Sequence, residues 1–165
     1  MGDIIIFTDG SCSNNGKKNA KGGIGIYYPN KEFIDVSEPF ILTPITNQRA
    51  ELFAIYEALK NITIHNETRD VFIYSDSLYS INSLTLWITD WIKNNWINSK
   101  KKPIKNLDII IPIYKIIKEC KNKIYFKHVK AHTNNKDFES ICNSIADRLA
   151  YDGMIKSLKL IQISI

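Results

Sequence analysis

Four carboxylates fall at two strand ends and on two helices: Asp9 in FTDGSC, Asp76 in YSDSLYSI, Glu51 in TNQRAEL and Asp147 in NSIADRLA. Asp9 follows the apolar run Ile4 to Phe7, which reads as a buried strand because it is short and bounded by turn residues. Taken alone, Asp9-Gly10 is ordinary turn chemistry, the Asp bonding its own backbone and the Gly supplying a positive φ. A lone Asp also cannot hold a hard divalent cation. Four carboxylates brought together from separate elements are another matter. Such a cluster can seat two divalent cations roughly 4 Å apart, one activating a water and the other steadying the leaving oxygen of a phosphodiester. That chemistry needs no serine or cysteine nucleophile.

The elements around these residues allow convergence. Residues 3–9 read as a first strand, and 22–29 and 32–40 as two more whose hairpin spacing makes the three antiparallel neighbours. An amphipathic helix follows, with Thr46 or Asn47 as its N-cap. Residues 70–76 form a fourth strand, and a helical crossover into it implies parallel pairing with the first. Asp9 and Asp76 would then emerge at one sheet edge, where α/β sheets place their sites. On the helix, Glu51 shares a face with Ala54, Ile55, Ala58 and Ile62, so its charge approaches the sheet and requires compensation. A helical stretch spans 77–96, a basic loop 98–105, and a further helix starts near Asn106, with Pro112 either opening or kinking it. Residues 123–129 read as a fifth strand. A closing helix over 143–153 carries Asp147 among Ala146, Leu149 and Ala150, with Gly153 near its end. The order predicts an α/β protein with a mixed five-stranded sheet and helices on both faces. One domain is expected over 1–155, with 156–165 as a C-terminal tail.

At 165 residues and 44% hydrophobic, the chain has material for one well-packed domain. It contains no apolar run long enough to span a membrane, and Asp3 stands where a secretory signal would need basic residues. Cys12, Cys120 and Cys142 are an odd number without metal-ligand spacing, so reduced thiols and a cytoplasmic or other intracellular setting, not secretion, are expected. The net charge of +5 suits a polyanionic partner. The excess is concentrated at Lys93, Lys100, Lys101, Lys102 and Lys105. Beside it, Trp87, Trp91 and Trp96 are spaced as a helical core stripe or as the root of a protruding handle.

Together FTDGSC, TNQRAEL, YSDSLYSI, LWITDWIKNNW, KKPIKN, VKAH and NSIADRLA, in this order, resemble type 1 ribonuclease H over nearly the whole chain. The resemblance implies the ribonuclease H-like fold and Mg²⁺-dependent endonucleolytic cleavage of the RNA strand in RNA–DNA hybrids, giving 5′-phosphate and 3′-hydroxyl ends. It places two Mg²⁺ ions, with Mn²⁺ as a substitute, on Asp9, Glu51, Asp76 and Asp147, and assigns proton transfer or product release to His132. By the same resemblance Cys12, Asn15, Asn47 and Gln48 line the RNA strand. Thr46, Ser99 and Asn106 form a pocket for a DNA phosphate, and Tyr79, Trp87 and Trp91 line the DNA channel. Lys93, Lys100, Lys101, Lys102 and Lys105 become a basic handle, and Leu78 a packing residue. The path from His132 to Asp147, through TNNKDFESIC, is longer than the family's. His65 reads as a surface residue and His128 as strand filler. A monomer is expected. The alternatives are a non-catalytic hybrid-binding or connection-type module, or another nuclease of this fold.

Overall fold

Residues 2–163 are described in the computed structural model, with side chains through Lys159. Side-chain alternation along β1 (Ile4–Ser13) sets the architecture: Ile4 and Ile6 enter one core cluster and Phe7, of opposite parity, enters another. β2 (Lys21–Tyr27) and β3 (Val36–Phe40) add as antiparallel neighbours, while β4 (Val71–Ser75) and β5 (Ile124–His128) add in parallel. The order β3-β2-β1-β4-β5 is the mixed five-stranded sheet that the hairpins and crossovers predict. β3 is shorter than the 32–40 span expected for it. Asp35 turns back to accept the Tyr28 amide at 2.9 Å and Phe33 packs edge-on against Tyr28, so residues 32–35 serve the connection instead of the ladder.

α1 (Asn47–Ile64) starts at Thr46, whose hydroxyl accepts the Arg49 amide at 3.2 Å and satisfies a helix-terminal donor. Its apolar face, Ala54, Ile55, Ala58 and Ile62, is buried with Ile4, Ile6, Ile24, Ile26 and Ile73. Full burial of each large aliphatic side chain stabilises by about 1.5–3 kcal/mol, so this interface anchors α1 and its first turn. α4 (Leu107–Glu119) packs against α1 through Ile109, Ile110 and Ile113. Pro112 lies inside α4 and does not open it. The buried Arg49 guanidinium ties the two helices, donating to both oxygens of Asp108 at 2.7 and 2.6 Å. This planar two-point contact is the geometry that Lys could not supply.

α5 (Phe138–Ile163) covers the other face across β1, β2 and β3. It begins before residue 143 because Asp137 accepts the Ser140 amide at 2.9 Å, capping a turn that the sequence pattern leaves in a longer loop. It also runs on through residues 156–163 of the 156–165 span set apart as a tail, the last two residues lying outside the described ones. Gly153 is therefore interior to the helix, where it lies against the Glu38 backbone of β3. Between β4 and α4 the chain forms α2 (Leu78–Asn82), a π turn (Ser83–Trp87) and α3 (Ile88–Lys93). Leu78, expected to pack, is 52% exposed. Among the described residues no helix is long and apolar enough to cross a membrane.

Candidate active site

The parallel ladder between β1 and β4 ends at Thr8 opposite Ser75. Asp9 and Asp76 are the next residues on their strands, so they stand where the two backbones part. β1 itself does not end there: it remains paired with β2 as far as Ser13 opposite Lys21. Gly10 is thus a strand residue, not a turn residue, and its lack of a side chain has a packing cause. A Cβ at Gly10 would overlap Glu51 N and lie 2.6 Å from Ala50 C. The first turns of α1 press on the strand at that point, and this close approach carries Glu51 to Asp9.

Asp9, Glu51 and Asp76 each offer a carboxylate oxygen, and these oxygens lie within 4.8 Å of one another. Asp147, from α5, joins them along a cavity of about 280 Å³ that is also lined by Asn47, Gln48, Ser77 and His132. His132 is exposed at this rim, in a left-handed backbone conformation (φ 50°) uncommon for a residue with a side chain. His128 ends β5 with Nε2 3.3 Å from the Asp76 carbonyl, and His65 lies on the surface against Phe33.

The cluster is electrostatically strained without a counter-charge. Burial, then the charge of Asp76, raises the Asp9 pKa from 3.8 to about 8, with Asp147 adding to the rise and a hydrogen bond from Glu51 opposing it. Glu51 is raised well above its usual range, first by burial and then by the charge of Asp9, and its Oε2 is a buried oxygen without a partner. Hard oxygen donors this close, repelling one another and partly unsatisfied, fit a divalent cation. A consequence is measurable. Between about pH 4 and pH 8 folded Asp9 keeps a proton that the unfolded chain has released, so stability without metal falls as pH rises through that window. The groups held low, Glu67 at about 2 and Asp108 and Asp137 below their usual value, act below it. The melting temperature in chelator should therefore decline from pH 5 to pH 8, and adding a divalent cation at pH 8 should raise it. A melting temperature that climbs over that range, with no response to cation, would contradict this electrostatic account.

Around the cluster the structure sorts the remaining expected residues. Asn15 Oδ1 accepts the Asn47 amide at 2.9 Å, joining the loop after β1 to the start of α1, with Gln48 exposed alongside. Cys12 Sγ lies 3.7 Å from the Ile45 carbonyl, and burial pushes its thiol pKa up. Cys12, Cys120 and Cys142 are all free thiols, as their number and spacing suggest. Thr46 and Asn106 line a second cavity of about 760 Å³ with Asn15, Arg49 and Lys105. Asn106 is held from two sides, accepting from Arg49 at 3.4 Å and donating to the Tyr79 hydroxyl at 2.8 Å. Ser99 is not among the residues lining that cavity; it sits exposed in the turn around 98–102.

The tryptophans divide. Trp87 and Trp91 form a tilted pair 5.9 Å apart, with Tyr79 6.0 Å from Trp87, whereas Trp96 packs edge-on against Tyr114 of α4. Neither a single core stripe nor a wholly exposed handle describes them. Lys93, Lys100, Lys101, Lys102 and Lys105 are exposed. Lys93 ends α3, and the loop carrying Lys100, Lys101 and Lys102 is pinned by a bridge between Ile97 and Pro103 and by Asn98, whose Oδ1 accepts the Lys100 and Lys102 amides at 2.9 and 3.0 Å. The sequence reading missed Asn143, a buried amide on α5 that donates to Asp76 Oδ2 at 3.1 Å. Its spacing of one helical turn before Asp147 is the signal that could have found it.

A family model described as RNase H matches residues 1–155. A probable ribonuclease H of Acanthamoeba polyphaga mimivirus is 41% identical over 138 residues, 82% of this chain and 59% of that protein. A ribonuclease H of Rickettsia akari is 35% identical over 161 residues, 96% of this chain and 95% of that protein. Among solved structures, the PFV RNase H domain in solution superposes with a TM-score of 0.72 at 27% identity, covering 94% of this chain and 97% of that one. The chain spans about half the length of several other curated relatives.

Proposed function

The chain belongs to the RNase H family, and from that premise we propose that it is a divalent-metal-dependent endonuclease hydrolysing the RNA strand of RNA–DNA hybrids, leaving 5′-phosphate and 3′-hydroxyl ends. The observation that carries the reading is the approach of Asp9, Glu51 and Asp76 to within 4.8 Å, with Asp147 on the same opening. Mg²⁺ is the proposed cofactor, two ions with substrate, and Mn²⁺ a substitute. These ions would supply Lewis-acid activation of water and stabilisation of the leaving oxygen.

The chain's own groups would do the rest. Asp9, where β1 parts from β4, Asp76, just past the end of β4, and Glu51 and Asp147, delivered by helices, would hold ligand oxygens in a set geometry at little cost in reorganisation. His132, exposed at the rim, is within the cavity's reach to exchange a proton with the departing group, a task an imidazole suits near neutral pH. Cys12, Asn15, Asn47 and Gln48 would meet the RNA strand, where 2′-hydroxyls distinguish it from DNA. Thr46 and Asn106 would hold a DNA phosphate, with Tyr79, Trp87 and Trp91 along the DNA strand. Lys93, Lys100, Lys101, Lys102 and Lys105 would supply affinity that is independent of sequence and weakened by salt.

The test is direct. End-labelled RNA in a hybrid, in duplex RNA, and a DNA duplex of the same sequence are each incubated with Mg²⁺, Mn²⁺ or chelator. Cleavage confined to RNA in the hybrid and dependent on metal is expected. Cutting of duplex DNA would favour another nuclease of this fold, and hybrid binding without cleavage would favour a non-catalytic module.

A further inference from the structure

The geometry points to Asn143 as a positioning residue that fixes the Asp76 carboxylate for cation binding, an inference that rests on the metal-dependent reading above. Asn143 is only 4% exposed, on the α5 face that also carries Ala146, Asp147 and Ala150. Its Nδ2 donates to Asp76 Oδ2 at 3.1 Å. The amide's orientation follows from chemistry: an ionised carboxylate only accepts, so the NH₂ end must face it. One Asp76 oxygen is thereby committed to the protein and the carboxylate plane is set, leaving the other oxygen for a ligand.

The second observation is what the amide leaves undone. Asn143 Oδ1 is buried and has no hydrogen-bond partner. A polar group kept in that condition is destabilising, since a buried acceptor without a donor forfeits its hydration. An apolar residue of similar volume would remove that unsatisfied oxygen, at the cost of the bond to Asp76. The arrangement is explicable if the site's ligand completes it, because a hydrated cation brings the donors that the protein lacks there. Orientation of one ligand oxygen by a neighbouring hydrogen bond is how outer residues tune a metal site. Asn143 also precedes Asp147 by one helical turn, so one helix face supplies a candidate ligand and the group that orients a second ligand at the end of β4. The docking of α5 then sets two of the four carboxylates, though only one belongs to it.

The experiment compares wild type with Asn143→Ala and Asn143→Leu, the second filling the volume that the first vacates. Mn²⁺ is titrated in the absence of nucleic acid, with free ion read from its electron paramagnetic resonance signal, and melting temperatures are recorded in chelator. Both variants are expected to need about tenfold more Mn²⁺ for half-saturation. Their melting temperatures in chelator should fall modestly, less for leucine than for alanine, because the lost bond to Asp76 is partly offset by removal of the unsatisfied oxygen and leucine leaves no void. Wild-type Mn²⁺ affinity in both variants, or a loss of affinity seen only where the melting temperature collapses, overturns the assignment. Wild-type protein that neither binds Mn²⁺ saturably nor cuts the hybrid would instead remove the metal-dependent reading on which the assignment stands.

Discussion

Asp9→Asn is expected to lower hybrid cleavage by about 1,000-fold or more, the order that follows from losing several kcal/mol of transition-state stabilisation at a metal site. The substitution keeps the shape of a side chain that is 3% exposed at the centre of the carboxylates, and removes only its charge. The same neighbours that push its pKa to about 8 predict a second effect of opposite sign. Asparagine mimics the protonated acid, so in chelator above about pH 7 the variant should melt no lower than wild type. Hybrid affinity should be largely kept, since the contacts proposed for the duplex lie on other residues. Activity assays, melting curves across pH and filter binding measure the three outcomes. Residual cleavage within about tenfold of wild type would show that Asp9 is not the central ligand. A sharp fall in melting temperature would mean that its ionised form is a structural anchor.

Gly10→Ala should disrupt both the fold and the site with a single methyl. Overpacking of a tight contact costs about 1–3 kcal/mol and more when backbone must yield, and here the obstructing atoms are Ala50 C and Glu51 N. α1 can accommodate the methyl only by moving off the strand, and Glu51 moves with it. The expected result is a lower melting temperature together with an activity loss beyond the fraction unfolded, partly recovered at high Mn²⁺. Gly2→Ala, where nothing lies within 4 Å, is the control and should match wild type. If Gly10→Ala behaved like the control, the close approach of α1 to β1 would not be what delivers Glu51.

Strong local signals made most of the architecture legible. Alternation and hairpin spacing marked the strands, and the requirement for a crossover made β1 and β4 parallel, which is why Asp9 and Asp76 could be placed together from the chain alone. The periodicity of α1 put Glu51 on the face of Ala54, Ile55, Ala58 and Ile62, all of which are buried against the sheet except Glu51, which is partly buried. Boundaries were harder. α5 extends on both sides of 143–153 because Asp137 supplies a cap and Gly153 a close packing contact, and each residue read in isolation suggests loop or terminus. Ser99, grouped with Thr46 and Asn106 by similarity of motif, does not line the cavity those two share, because the position of a loop residue depends on where its loop folds.

The sequence alone sufficed for the inventory: which elements form, which strands run together, and which carboxylates those elements carry to one side of the sheet. Those follow from side-chain periodicity and chain connectivity, both written along a single dimension. Tertiary structure alone decided why Gly10 is glycine, how Arg49 binds Asp108, and that Asn143 holds Asp76. Each of these is a contact between segments distant in the chain, settled by backbone approach and by the burial of polar groups, and neither quantity exists until the faces of the sheet are covered.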